Sequence, residues 1–203
     1  MTAFERIEVG DPRLAPSTDL DVARRHLAAA AIASDESLAH RDDVAAFVDV
    51  HDDAAQRTNL EGHLTGSALV VDAAGERTLL MLHRKLGRWF QPGGHADGDT
   101  NLPAVALREA QEETGIEGLI VVVPAIDVDV HLVEPPREAP HLHLDTRYLV
   151  VAPAGAHEHA NEESLALRWV TESELDTLEP PVDDSTRRLV QRGLSVARSL
   201  QGN

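Results

Sequence analysis

Three glutamates, Glu109, Glu112 and Glu113, stand at relative positions i, i+3 and i+4 shortly after a Gly-Gly pair. The pair opens the run Gly93-Gly94-His95-Ala96-Asp97-Gly98-Asp99-Thr100. The glutamates close it in Arg108-Glu109-Ala110-Gln111-Glu112-Glu113-Thr114-Gly115-Ile116. At helical pitch the three carboxylates project from one face. Like charges held that close repel, so a folded chain keeps them together only with positive charge among them. Arg108 reaches Glu112 one turn on, which leaves Glu109 and Glu113 unmatched. Hard divalent cations such as Mg²⁺ prefer carboxylate oxygens and keep water and substrate phosphate in their remaining positions. The spacing therefore predicts a helix that carries a Mg²⁺ site. The plain alternative is an exposed helix with a solvated acidic face. Gln91-Pro92 before the glycines and Thr114-Gly115-Ile116 after the glutamates weigh against it.

The same segment resembles the signature of the Nudix hydrolases: glycine, any five residues, glutamate, any seven, Arg-Glu, an apolar residue, any, Glu-Glu, any, glycine, apolar. On this sequence the box runs from Gly94 to Ile116, with Arg108, Glu109, Glu112, Glu113, Gly115 and Ile116 in place and Ala110 at the apolar position. It departs at the first glutamate, where Thr100 stands, and Asp99 is the nearest carboxylate to take over support of the arginine and the turn.

The resemblance implies an α/β/α sandwich with a mixed sheet and a catalytic group of Glu109, Glu112, Glu113 and Arg108. Glu109, Glu112 and Glu113, with a backbone carbonyl at Gly93 or Gly94, would hold Mg²⁺, for which Mn²⁺ can substitute, and Arg108 would orient a glutamate. The implied reaction is water attack at phosphorus on the diphosphate linkage of a nucleoside diphosphate-X type small molecule. A box glutamate, Glu163 or His143 would be the general base. The alternative is a non-catalytic, ligand-sensing or binding domain of the same family. Such sensors usually lose box glutamates and carry a DNA-binding module, neither of which is seen here. The branch that isomerises isopentenyl diphosphate needs a cysteine, and this chain has none.

With 203 residues the chain suits one domain plus an extension. A net charge of −17 excludes a broad nucleic-acid surface, which needs a basic stripe. A small phosphorylated ligand held through a metal ion remains compatible. Without cysteine there is no disulfide framework or thiolate metal site, while 11 histidines keep an imidazole site conceivable. The N-terminus lacks a basic region followed by an apolar run, and no apolar stretch reaches the roughly 20 residues that span a bilayer. A cytoplasmic protein without membrane contact is expected.

Residues 1–16 read as irregular. Helices are expected over about Leu20–Ala33 and within Asp35–Ala55, with no chemical constellation on either. Residues 1–61 are read as a helical extension packed on the core, with a homodimer interface or a partial lid as alternatives. Residues 62–203 are read as the Nudix hydrolase domain. Its strands are expected at Leu64–Val71, Thr78–His83, Leu119–Val123, Ile126–Leu132, Leu142–Val151 and Leu167–Val170. The box helix spans Leu102–Thr114, a short helix lies near Ser173–Leu178, and a C-terminal helix runs over about Ser185–Leu200.

Three further groups carry candidate chemistry. His141, His143, Asp145 and Arg147 alternate with apolar or neutral residues, as do Asp127, Asp129 and His131. In paired strands one sheet face would display all seven. His143, Asp145 and Arg147 are taken as substrate-binding, against the alternative of a solvated outer face. Arg84, Lys85 and Arg88 precede the Gly-Gly turn, and Arg84 and Arg88 are candidate phosphate contacts. Trp89 fits a core position better than a stacking platform. Glu162 and Glu163 lie in a loop and supply Glu163 as the candidate base.

Overall fold

The computed structural model describes residues 3–135, 139–161 and 164–201. Its strands are β1 (Glu5–Glu8), β2 (Gly62–Val71), β3 (Thr78–His83), β4 (Trp89–Phe90), β5 (Gly93–His95), β6 (Ile120–Val133), β7 (His141–Val151) and β8 (Ser164–Val170). Its α-helices are α1 (Leu20–Ala29), α2 (Asp35–Val50), α3 (Leu102–Thr114) and α4 (Asp184–Ser199). The strands form one mixed sheet in the order β1-β6-β7-β2-β3-β4, with β5 added to β2 and β8 to β3. β2 runs parallel to β7, and the other pairs are antiparallel. Every residue of β2 is buried, as befits a central strand covered on both faces.

Side chains alternate cleanly between the two faces. On one face Leu64, Ala68, Val70, Leu144 and Tyr148 pack against Ala23 and Leu27 of α1, Val44 and Val48 of α2, and Leu102, Ala106 and Ala110 of α3. On the other face Leu69, Val71, Ile126 and Leu149 meet Leu189, Val190 and Leu194 of α4. Helices approach the sheet closely where glycine leaves room. A Cβ on Gly66 would lie 3.0 Å from the Leu102 carbonyl oxygen, and one on Gly193 would overlap Leu69.

Several boundaries differ from the sequence expectation for identifiable reasons. β1 falls inside the segment read as irregular. Only Ile7 of its four residues is buried, so no alternation is legible, and pairing with β6 supplies the order. The two expected strands at 119–123 and 126–132 are one strand, β6, whose register against β7 shifts between Val122 and Asp127. Pro124 lies in that irregularity, where its missing N–H costs the ladder nothing. β8 begins at Ser164 instead of Leu167. α1 stops at Ala29, because Ala30 turns to extended ψ 130°. The box helix has the expected bounds and ends at Gly115, left-handed at φ 64°. Among the described residues no helix is long and apolar enough to cross a membrane.

Candidate active site

β5 sets the geometry of the box. It pairs with β2 through Thr65↔His95, Gly66↔Gly94 and Ser67↔Gly93, and α3 packs directly beneath. Glu113 is 5% exposed, and its Oε2 accepts a hydrogen bond from Gly93 N at 2.9 Å. Glu109 reaches the next residue of the strand, where a Cβ on Gly94 would overlap its carboxylate. Both glutamates thus press against the Gly-Gly backbone, while Glu112 is exposed on the same helix.

Arg108 donates to Glu109 Oε1 at 2.9 Å and to the His95 carbonyl at 3.1 Å. The sequence expectation paired it with Glu112. The structure turns it to its neighbour, so that the guanidinium ties α3 to β5. Burial raises the pKa of Glu109; Arg108 opposes the shift, and Glu112 and Asp97 reinforce it. Carboxylates gathered under partial burial, with a carbonyl-bearing strand beside them, match the donor set of a hard divalent cation. The residues present are of the kind that hold such an ion.

The departure from the box pattern has a structural use. Thr100 Oγ1 donates to the carbonyls of Ser17 and Asp19 at 3.1 and 2.8 Å. Asp99 Oδ1 accepts from the backbone N–H groups of Ser17 and Asn101, and Asn101 Nδ2 donates to the Arg13 and Ala15 carbonyls. Arg108's hydrogen bonds go instead to Glu109 and His95. Thr100, Asp99 and Asn101 tie the N-terminal segment to the box loop, and the hydrogen bonds of Asp99 go to that segment and to Asn101.

The NUDIX domain family model matches residues 63–192. The chain belongs to this family. Similar solved structures include the C. elegans Ap4A hydrolase binary complex, at 17% identity, a TM-score of 0.53, and coverage of 69% of this chain and 98% of that one. The E. coli dihydroneopterin triphosphate pyrophosphohydrolase matches at 16% identity and a TM-score of 0.50, over 66% of this chain and 95% of its own. At such identity the likeness shows the fold. No curated protein sequence matches the chain.

On this Nudix sheet the polar hairpin face forms as the alternation predicts, through Asp127↔Arg147, Asp129↔Asp145 and His131↔His143. It is not an open substrate cleft. Arg147 is 3% exposed, and its guanidinium meets Asp127 at 3.2 Å, Asp129 at 3.0 Å and Asp145 at 2.8 Å. Asp145, 2% exposed, also accepts from Thr65 and Ser67. Ser185 and Arg188 of α4 close over the network by bonding Asp129. Substrate phosphate contact by Arg147 and Asp145 is thereby corrected to an internal ion cluster that holds three strands to α4.

Farther along this face five histidines gather: His63, His95, His131, His141 and His143. His143 Nε2 lies 3.3 Å from His95 Nε2. Burial, then His131 and the other rings, push His143 down to about 2, so the ring is held neutral. His63 is driven down to about 4 by burial and by His95 and His141, against a weak opposing pull from the Asn59 backbone. Sequence reasoning missed His63, because only the parallel pairing His63↔His143 brings it to the hairpin.

Of the other candidates, Arg84 and Arg88 are exposed at the β3–β4 turn, where Arg84 donates to the Ser164 carbonyl. Trp89 is a core residue, 6% exposed, with its indole N–H on the Glu179 carbonyl. Glu162 and Glu163 lie outside the described residues.

Proposed function

We propose that the chain is a Mg²⁺-dependent hydrolase that cleaves a diphosphate linkage in a small molecule of the nucleoside diphosphate-X type, with Mn²⁺ able to substitute. One observation carries the reading. Glu109 and Glu113 both converge on the Gly93–Gly94 backbone at a point where any side chain on Gly94 would collide with the ligand carboxylate. Glu109, Glu112 and Glu113, with the Gly94 carbonyl, would hold the ion. When bound, Mg²⁺ neutralises phosphate oxygens and lowers the pKa of an attacking water. Arg108 fixes the Glu109 carboxylate through its bond to Oε1. A box glutamate not occupied by the ion, or Glu163, would take the proton from water. Arg84 and Arg88, exposed just upstream of β5, are the proposed phosphate contacts. Residues 1–61 act as an extension clamped on this domain.

The test is a panel of nucleoside triphosphates, nucleotide sugars, Ap4A and dihydroneopterin triphosphate, the last two being the compounds for which the similar structures are named. Phosphate release after coupling to a phosphatase should appear with Mg²⁺ for at least one diphosphate class. Turnover of none of them with either metal ion would count against the proposal.

A further inference from the structure

We propose that His63, His95 and His143 form a second metal site, for a divalent transition ion of the zinc, cobalt or nickel class, separate from the box glutamates. The ligand nitrogens of these rings all lie within 4.8 Å of one another. Two nitrogens bound to one tetrahedral ion at about 2.0–2.1 Å stand about 3.3–3.4 Å apart. His95 Nε2 and His143 Nε2 already have that separation, at 3.3 Å. Each histidine comes from a different strand of the central sheet, β2, β5 or β7, with the register His63↔His143 and Thr65↔His95 fixing their approach. The rings are thus presented by backbone ladders and not by loops, the rigid presentation that a metal site needs.

A hydrogen bond between His95 and His143 accounts for those two rings without any ion. It leaves His63 unexplained. That ring is 1% exposed, and neither of its nitrogens has a hydrogen-bond partner of good geometry. Buried polar groups are paired as a rule, and an unpaired one calls for a partner such as an ordered water or an ion. Ring packing against His95, His141 and His143 satisfies the carbon skeleton and not the nitrogens.

Chemistry and position both separate this site from the glutamates. Imidazole suits zinc, nickel and copper, whereas Mg²⁺ takes oxygen ligands. Along β5 a Cβ on Gly93 would point at Ser67 and one on Gly94 at Glu109. Strand alternation then puts the His95 side chain on the Ser67 side, with the β5 backbone between it and Glu109. Three protein ligands leave a fourth position open to water or a ligand oxygen.

Co²⁺ is the direct probe, since tetrahedral coordination gives it strong visible absorption. The metal-stripped full chain is titrated with Co²⁺ in excess Mg²⁺, and Zn²⁺ is added afterwards as competitor. Wild type should bind one Co²⁺, displaced by Zn²⁺, and the Glu112→Gln/Glu113→Gln variant should bind it equally well. His143→Gln should weaken it by more than about tenfold. His95→Gln, on the short and partly exposed β5, provides the same reading should His143→Gln unfold, with circular dichroism to verify the fold. Binding that disappears with the glutamates, or that survives undiminished in a folded histidine variant, overturns the proposal. Either result leaves the hydrolase reading to its own test.

Discussion

Arg147 sits among three aspartates with no solvent to replace it. Removing one partner from a buried charge cluster typically costs about 3–5 kcal/mol, because the others stay behind uncompensated. Arg147→Ala should lose that much by urea unfolding. Arg187→Ala breaks an exposed pair with Asp176 and should stay within about 1 kcal/mol of wild type. Equal stability of the two, with a raised KM for Arg147→Ala alone, would return Arg147 to the substrate. The cluster also sets an acid limit. Burial alone would raise Asp129, but the His131 hydrogen bond, the Arg147 charge and Ser185 outweigh it and hold its carboxyl below the usual range. A depressed carboxylate contributes stability in full above its unfolded pKa of about 4, and the contribution drains away as pH falls further. Wild type should therefore lose stability below pH about 4 more steeply than Arg147→Met, which lacks the attracting charge. The alternation of these residues was legible in the sequence. Their burial was not, because it depends on β2 lying parallel to β7 and on Ser185 and Arg188 arriving from α4.

At the scale of elements, β5 and α3 act as a pair. Gly94→Ala would drive its methyl group into the Glu109 carboxylate while leaving the core untouched. A misplacement of about 1 Å near the chemistry can cost about a hundredfold. The expected outcome is a loss of turnover of that order with an unchanged melting temperature; wild-type turnover would show that Glu109 need not meet the Gly-Gly strand. The loop between them fastens the N-terminal segment. Asp99→Ala should cost about 1–2 kcal/mol of local stability, read as faster amide exchange over residues 13–19. Unchanged exchange there would mean that Thr100 and Asn101 suffice. The box helix was legible to its ends, since the glutamate spacing marks its body and Gly115 closes it. β1 was not, since a four-residue strand with one buried side chain carries no periodic signal of its own. β6 was read as two strands because Pro124 breaks the pattern without breaking the strand.

For the whole molecule, the net charge of −17 opposes the approach of an anionic substrate. Raising salt from about 0.01 to 0.15 M shortens the Debye length from about 30 to 8 Å and should increase kcat/KM modestly. A steep fall over the same range would point instead to a basic docking surface. The helices of the N-terminal segment bury Ala23, Leu27, Val44 and Val48 in the same core as α3. The proposed function rests on one claim, that the glutamates of α3 bind the ion on which hydrolysis depends. The most direct measurement is the hydrolysis rate of wild type and of Glu112→Gln/Glu113→Gln on the best diphosphate of the panel, with Mg²⁺ and in EDTA. Wild-type activity should vanish in EDTA, and the folded double variant should lose about two orders of magnitude or more with Mg²⁺ present. Full activity of wild type in EDTA, or of the double variant in Mg²⁺, would contradict the account.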